Sequence, residues 1–400
     1  MTYQPSQKIL DKYADLLVNF ALNSGKGVRP EEVILVQVPE CAKPMLVSLQ
    51  RTILKAKAQM SIQYLPDGLS REFYQLASDK QITFFPAEYM KARINTIDHS
   101  IYIIAESDLH ELEGINPKKL MARQKSWKPY IEWKDEKENK GKFTWNLAVY
   151  GTEAMAKEAK MSLKEYWKQI IKACYLDYPN PTAKWKYVYR ELHRIRSRLD
   201  KLKIEKVHIK SNNIDLMIGI GKNRIWKGGD GRNIPGFEIY TTPSREKVDG
   251  YIRFNVPLYS AGNLIEGIGL EFKDGKIVKA TAKKNERFLR ELIKTPGADH
   301  IGEFSMTDNR LSRITKFMAE TLYDENRGGK YGNSHIALGR AIRDTYPGNK
   351  DNVSKQQWKK MGYNDSVIHT DIFSTEDRTV TATLENGKEI VIYRKGRFTI

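Results

Sequence analysis

Side chains that can bind metal ions or move protons are concentrated in residues 323–371. This stretch holds the triplet Asp324-Glu325-Asn326 and two histidines, His335 and His369, and it ends on Asp371. His369 and Asp371 are two positions apart, and residues at that spacing on a β-strand point to the same face. Because imidazole and carboxylate groups are common ligands of divalent ions, this spacing indicates a metal site.

The chemistry of His335, His369 and Asp371 alone leaves several kinds of site open. Two-metal hydrolases use carboxylates to bridge ions that lie about 3.5–4 Å apart. Two histidines and one carboxylate also form the facial triad of non-haem iron oxygenases. A site without metal stays open as well, because His-x-Asp pairs occur in many plain strands.

The first half of the chain has the alternating pattern of an α/β domain. Residues 33–38 are a nearly continuous apolar run that ends at Pro39, which is typical of a strand buried on both faces of a parallel sheet. Predicted helices and strands then alternate, with helices at 9–22, 44–58 and 72–77 and strands at 60–65 and 101–105. This order predicts a mostly parallel sheet with flanking helices. The half lacks a glycine-rich dinucleotide fingerprint.

A proline-containing segment marks the predicted domain boundary. Residues 177–181 must end the helix that begins after the Ser162…Glu165 capping box, because proline lacks the amide donor. We therefore predict an α/β scaffold domain over 1–178 and a second domain over 179–400. Upstream of this boundary, residues 134–142 mix lysines with acidic residues, and we expect an exposed loop there.

The second half has the pattern of an α+β domain rich in antiparallel strands. Short alternating runs are joined through Asp274-Gly275 and through Asn386-Gly387, which are strong hairpin signals. All the candidate metal ligands lie in this half. We therefore expect the second domain to carry the chemistry.

Composition sets wider limits on function. The chain has 400 residues and a formal net charge of +18, but its lysines are spread along the sequence without a dense basic tract, so nucleic acid is not an expected partner. Cys41 and Cys174 are far apart, and we expect two buried thiols without a disulfide. The sequence lacks a signal-peptide pattern and an apolar run of roughly 18 residues, so a cytoplasmic protein without membrane spans is expected.

Five segments of the second half match, in order, the motifs of a known enzyme family. They are 233–243, Gly302-Glu303, 324–326, 334–339 and 364–371. On these motifs the chain resembles the aminopeptidase T and aminopeptidase S family of two-metal exopeptidases. The likeness also covers Trp226-Lys227-Gly228-Gly229 and, more weakly, the first half.

The resemblance implies a complete set of functional residues. Two divalent ions (zinc, cobalt, manganese or magnesium) would be held by Glu238, Glu303, Glu325, His335, His369 and Asp371. Glu303 would bridge them and take part in catalysis, and water activated by the ions would attack the first peptide bond. The family also implies short peptide substrates and a homodimer.

Two departures from the family pattern flank this site. Residues 327–333 lengthen the segment between the triplet and His335, and Ile342 stands where the family has a catalytic tyrosine. Tyr346, which precedes Pro347, is the predicted replacement, with a hydroxyl that would stabilise the oxyanion.

Two other functions remain alternatives. A single-iron ring-cleaving dioxygenase, similar to dihydroxypyridine dioxygenases, would use the two histidines and Asp371 and would not need Glu238, Glu303 or Glu325. The presence of all three glutamates favours the hydrolase. The Ile342 departure also leaves open a catalytically altered binding protein on the same scaffold.

Overall fold

The computed structural model describes residues 3–260, 262–350 and 352–400. The chain forms two compact units. Unit 1 comprises the residues up to Tyr189 with Gly229–Gly236 and Met318–Leu322, and unit 2 comprises Arg190–Gly228, Phe237–Phe317 and Tyr323–Ile400. The boundary between 178 and 179 that we expect from the sequence stays a prediction.

Helices occur in both halves of the chain. The α-helices, in chain order, are α1 (Gln7–Leu16), α2 (Leu22–Gly25), α3 (Lys43–Lys55), α4 (Ser70–Leu76), α5 (Asp79–Ile82), α6 (Ala87–Thr96), α7 (Pro117–Ser126), α8 (Lys128–Asn139), α9 (Glu153–Glu158), α10 (Leu163–Ala173), α11 (Pro181–Leu202), α12 (Glu286–Ile293), α13 (Thr321–Asp324) and α14 (Lys355–Lys360). A π-helical turn, Leu17–Ala21, follows α1, and 3-10 turns cover Glu40–Ala42 and Arg343–Thr345.

Strands are more frequent in the second half than in the first. In chain order they are β1 (Val33–Pro39), β2 (Gln59–Leu65), β3 (His99–Ile104), β4 (Thr144–Val149), β5 (Ile204–Lys210), β6 (Ile214–Ile220), β7 (Asn233–Ile234), β8 (Glu238–Thr241), β9 (Pro243–Arg253), β10 (Leu258–Ser260), β11 (Asn263–Ile265), β12 (Gly269–Lys273), β13 (Lys276–Thr281), β14 (Ile301–Thr307), β15 (Asn333–Gly339), β16 (His369–Ser374), β17 (Thr379–Leu384), β18 (Glu389–Arg394) and β19 (Arg397–Phe398).

Unit 1 is built on a five-stranded parallel sheet in the order β2-β1-β3-β4-β7. Ile34, Leu35 and Val36 of β1 are all buried, as expected for a strand covered on both faces. The predicted capping box is present at the start of α10, where the Ser162 hydroxyl accepts from the Glu165 amide and the Glu165 carboxylate accepts from the Ser162 amide. The prediction of an α/β first half is confirmed.

Three local predictions in this unit are wrong. Residues 134–142 belong largely to α8 rather than to a loop, because one side of this charged helix packs through Tyr130 and Trp133 against a cluster that includes Phe143. The helix predicted at 9–22 changes to a π-helical turn at Leu17. Cys41 is half-buried rather than buried, since it lies at the end of a strand in a 3-10 turn.

Unit 2 contains the antiparallel strands that the sequence predicts. An eight-stranded sheet has the order β13-β12-β9-β6-β5-β17-β18-β19, and it includes both predicted hairpins. A two-stranded ribbon pairs β10 with β11. A four-stranded antiparallel sheet has the order β16-β15-β14-β8. Within the described ranges, no helix combines the length and apolar character needed to cross a membrane.

Candidate metal centre

The register of the four-stranded sheet brings five predicted ligands to one face. Glu303 on β14 lies opposite Ala337 on β15, which lies opposite Asp371 on β16. In the same way His335 is opposite Ser305, His369 is opposite Gly339, and Glu238 on β8 is opposite Thr307. Paired residues and residues at i and i+2 share a face of a sheet, so Glu238, Glu303, His335, His369 and Asp371 converge.

The distances show how closely these side chains approach one another. The Nε2 atom of His335 lies 3.3 Å from Glu238 Oε2, 3.6 Å from Glu303 Oε1 and 3.7 Å from Asp371 Oδ1. The Nε2 atom of His369 lies 3.1 Å from Glu303 Oε2 and 3.6 Å from Asp371 Oδ1. The two oxygens of Glu303 therefore face different imidazole rings.

Glu325 reaches the same centre from outside the sheet. It follows α13, and its backbone carbonyl accepts hydrogen bonds from Asn333 Nδ2 at 2.7 Å and from Thr307 Oγ1 at 3.3 Å. Asn333 Nδ2 also donates to the carbonyl of Asp324 at 2.7 Å. These contacts hold the acidic triplet against β14 and β15.

Possible ligand atoms form three overlapping groups. In each group they lie within 4.8 Å of one another, and the groups are Glu238 with Glu303 and His335, Glu303 with His369 and Asp371, and Glu325 with His335 and Asp371. All six side chains that the sequence nominates therefore occur in these groups.

Burial and charge perturb the ionisation of these side chains. Burial, with the nearby charges of Glu303 and Asp371, raises the pKa of Glu238 to about 8. Burial opposes ionisation of Glu303 too, but His335 and His369 outweigh it and lower the pKa of Glu303 to about 2. Burial alone would lower the pKa of each histidine, but the surrounding carboxylates raise the pKa of both His335 and His369 to about 9. The crowded carboxyl groups therefore favour positive charge inside the centre, which a bound metal cation would supply.

Two features of the histidines fit metal ligation. His369 Nδ1 lies 2.9 Å from the Arg340 carbonyl, so this nitrogen carries a proton, and Nε2, on the side of the carboxylates, is the atom that would bind a metal ion. His335 is 2% exposed, and its ring nitrogens make no hydrogen bond of normal geometry, since the nearest carboxylate oxygen lies 3.3 Å from Nε2. Burying an imidazole without well-formed hydrogen bonds costs free energy of folding unless another group, such as a metal ion, binds the ring nitrogen.

Tyr346, the predicted oxyanion donor, lies in an aromatic cluster of the same unit. Its ring is 5.4 Å from that of Trp358 at an angle of 80°, beside the buried Ala341 and Tyr363. Tyr346 follows a 3-10 turn that begins after Ile342. The role of Tyr346 stays a prediction.

Sequence reasoning missed several polar side chains next to the ligands. Ser305 donates a hydrogen bond from Oγ to Glu238 Oε2 at 3.0 Å, and Tyr240 is directly opposite Ser305. The available signal was the two-residue spacing of Ser305 from Glu303 and of Tyr240 from Glu238, which places each pair on one face.

The comparison with known proteins identifies the family. The model of the thermophilic metalloprotease family (M29) matches residues 6–398. The chain belongs to this family. It is 28% identical to aminopeptidase T of Thermus thermophilus and 25% identical to aminopeptidase AmpS of Bacillus subtilis, and each alignment covers 98% of both chains. The solved structure of wild-type AmpT from Thermus thermophilus matches with a TM-score of 0.84 at 25% identity, over 98% of this chain and 100% of that chain.

Membership of the family confirms the resemblance and the predicted enzyme class. The chain is a metal-dependent hydrolase of the metallo-exopeptidase kind, with a divalent metal ion as its cofactor and aminopeptidases as its relatives. The match to the AmpT structure also confirms the fold class, an α/β N-terminal part followed by an α+β part rich in antiparallel strands.

Proposed function

We propose that this metalloprotease is a two-metal aminopeptidase that releases N-terminal amino acids from short peptides. The observation that carries the proposal is the overlap of the ligand groups, since Glu303, His335 and Asp371 each belong to two of them. A single ion would need only one such group. Shared ligands at this spacing suit two neighbouring ions.

The charge of the six side chains supports two divalent ions. Glu238, Glu303, Glu325 and Asp371 contribute four negative charges when ionised, which two divalent cations balance. Glu303 is the proposed bridge because its two oxygens face different histidines. Zinc, cobalt, manganese and magnesium all remain candidates, because carboxylate with imidazole accommodates each of them.

The chemistry of the proposed reaction is divided between the ions and the chain. Divalent ions held in this way polarise the scissile carbonyl and lower the pKa of water towards about 7. One of the glutamates of the centre is the candidate for carrying a proton from the attacking water to the leaving amine. Tyr346 is the candidate from the sequence for hydrogen bonding to the oxyanion.

The proposed partner of the chain, besides the peptide, is a second copy of itself. The family resemblance implies a homodimer, and the sequence pattern indicates a cytoplasmic location. Support from this chain comes from β2, an edge strand of the unit 1 sheet whose residues Ile62 and Tyr64 are 49% and 40% exposed. Exposed apolar edge strands are prone to pair with another chain.

Metal reconstitution tests the proposed function. Protein stripped with a chelator would be reloaded with zinc, cobalt or manganese and assayed on aminoacyl chromogenic substrates and on short peptides. We expect release of the first residue to return with metal, at a stoichiometry near two ions per chain, and N-acetylated peptides to resist cleavage. Failure of all the ions to restore release would contradict the activity, and full activity with one ion per chain would contradict the two-metal site.

A further inference from the structure

Tyr240 is a tyrosine on the ligand-bearing face that the proposed function does not use. It lies two residues after Glu238 on β8 and directly opposite Ser305 of β14. Ser305 in turn lies opposite His335. Tyr240 is therefore in register with His335 across the sheet, and it lies on the same strand as Glu238.

The side chain of Tyr240 is long enough to span the distance to a diagonal neighbour on the adjacent strand. Residues diagonally across neighbouring strands are about 7–8 Å apart, a distance that aromatic side chains span. Glu303 occupies such a diagonal position, because it lies two residues from Ser305. Tyr240 thus lies on the face of the sheet that carries Glu238 and Glu303 rather than on the opposite face.

The hydroxyl of Tyr240 also lies beside the segment that carries the family's tyrosine position. Its oxygen is 3.4 Å from Asp344 Oδ2. Two residues earlier, the amide of Ile342 donates to Thr242 Oγ1 at 3.0 Å, and that hydroxyl donates back to the Ile342 carbonyl at 3.1 Å. The segment from Ile342 to Asp344 is therefore fastened to the end of β8, next to Tyr240.

The contact between Tyr240 and Asp344 is a long one. The separation of 3.4 Å is above the usual range for an O–H···O hydrogen bond. Asp344 also has Lys227 Nζ at 3.9 Å from the same oxygen, which offsets its charge when Tyr240 turns away. Lys227 pairs with Tyr240 through the backbone, so its position is fixed to the same strand.

We propose that Tyr240 supplies the hydroxyl that stabilises the oxyanion in this chain, in place of the tyrosine that Ile342 replaces. Asp344 and Lys227 are positioning residues that hold the hydroxyl at rest. The inference rests on the proposed aminopeptidase function and assigns a residue to it. The alternative donor is Tyr346, whose ring packs against Trp358.

The test compares Y240F with Y13F in the full-length, metal-loaded enzyme. Tyr13 is a matched control because it is also a buried tyrosine, with its hydroxyl 3.4 Å from a carbonyl, that of Ile234 in unit 1. We expect kcat of Y240F to fall about 100-fold with KM almost unchanged, because the lost contact forms in the transition state. Y13F should keep the wild-type kcat.

A binding measurement gives a readout that does not depend on turnover. A phosphonic acid analogue of a dipeptide imitates the tetrahedral intermediate, and calorimetry should show it binding Y240F about 100-fold more weakly than wild type. A simple amino acid product should bind both proteins equally, and both should carry the same metal content.

The outcomes separate this inference from the proposed function. A wild-type enzyme without aminopeptidase activity would refute the function itself. An active wild type with Y240F at the same kcat and the same affinity for the analogue would overturn the role of Tyr240, most directly if Y346F showed the loss instead.

Discussion

The two oxygens of the Glu303 carboxylate face the two imidazole rings, with Oε1 at 3.6 Å from His335 Nε2 and Oε2 at 3.1 Å from His369 Nε2. An amide cannot take this place, because only one of its ends accepts a hydrogen bond or binds a cation. The proposed bridging role therefore depends on the charge of residue 303 and not only on its shape.

Replacing Glu303 with Gln should abolish release of N-terminal residues while the chain stays folded. The substitution keeps the volume of the side chain and removes the anionic bridge, so metal content should fall below that of wild type. Activity, bound metal and circular dichroism would be measured together. E271Q, an exposed carboxylate paired with Lys279, serves as the control and should retain both activity and metal. Wild-type turnover by E303Q would refute the bridge.

The side chains that converge in the candidate centre are easier to nominate from the sequence than the polar residues beside them. His369 and Asp371 could be paired from spacing alone, because alternation on a strand is a local rule. Glu238 and Glu303 are distant in sequence, and only matching family motifs connected them to the histidines. Tyr240 and Ser305 carried no motif, and their importance appears only when the register of β8 and β14 is known.

The secondary-structure elements around the centre are tied together by buried polar contacts. Asn333 at the start of β15 is fully buried, and its Nδ2 donates to the carbonyls of Asp324 and Glu325 at 2.7 Å each. One side chain thus fixes the segment after α13, including Glu325, to the sheet that carries the other ligands.

Replacing Asn333 with Ala should destabilise the metal-free protein by about 1–3 kcal/mol, because two buried carbonyls lose a donor. Metal affinity should also fall, since Glu325 is no longer held in place. Thermal unfolding and metal titration would measure the two effects. N95A on the exposed side of α6 should change stability by less than about 0.5 kcal/mol. Unchanged metal affinity in N333A would show that Asn333 does not position Glu325.

A second polar contact joins elements of unit 1 at the amino-terminal edge of its sheet. Glu32, just before β1, has Oε2 at 2.9 Å from Nε2 of His99 on β3 and at 2.6 Å from the Arg29 amide. His99 Nδ1 lies 2.8 Å from Thr144 Oγ1 on β4. Burial opposes ionisation of Glu32, but these donors outweigh it and lower the pKa of Glu32 below 4.5.

The lowered pKa of Glu32 makes the stability of the folded chain depend on pH in one direction. A carboxyl group whose folded pKa is lowered stabilises the fold above its unfolded pKa of 4.5, and the contribution is lost as pH falls through the folded pKa. The unfolding temperature of E32Q should therefore lie below that of wild type near pH 7, and the difference should shrink below about pH 4.5. Exposed Glu31 gives the control E31Q, which should follow wild type. A constant difference across pH 3–7 would contradict the role of the Glu32 charge.

Element prediction succeeded where burial determined the pattern. The apolar run of β1 and the capping box of α10 were predicted because each has a local physical cause. Residues 134–142 failed because α8 contains no fully buried residue, so its sequence shows mostly charge. Tyr130 and Trp133 are the apolar residues on one side of α8, and two residues give too weak a helical periodicity to stand out among the charged ones.

For the whole molecule, the net charge of +18 limits which surfaces can associate with a second copy. Like charges repel across an interface, so a surface without charged residues favours association of two copies of this chain. The sequence of β2, Gln-Met-Ser-Ile-Gln-Tyr-Leu, contains no charged residue. By contrast β13, at the edge of the eight-stranded sheet, carries Lys276 and Lys279, as protected edges do.

The length of β2 also suits a twofold axis. Antiparallel pairing of two copies about Ile62 would place Gln59 opposite Leu65 and Ile62 opposite itself, so each copy presents the same surface to the other. In the part of the chain that the structure describes, β2 pairs only with β1, which leaves its other edge for this contact.

The substitution I62K should convert the proposed dimer to a monomer, because it places two lysines against each other at the axis. V278K on β13 is the control, since Val278 is also an exposed edge residue, at 62%, and already lies between lysines. Sedimentation at micromolar concentration should give twice the chain mass for wild type and V278K and the chain mass for I62K. A wild type that sediments as a monomer would refute the dimer, and a dimeric I62K would place its interface away from β2.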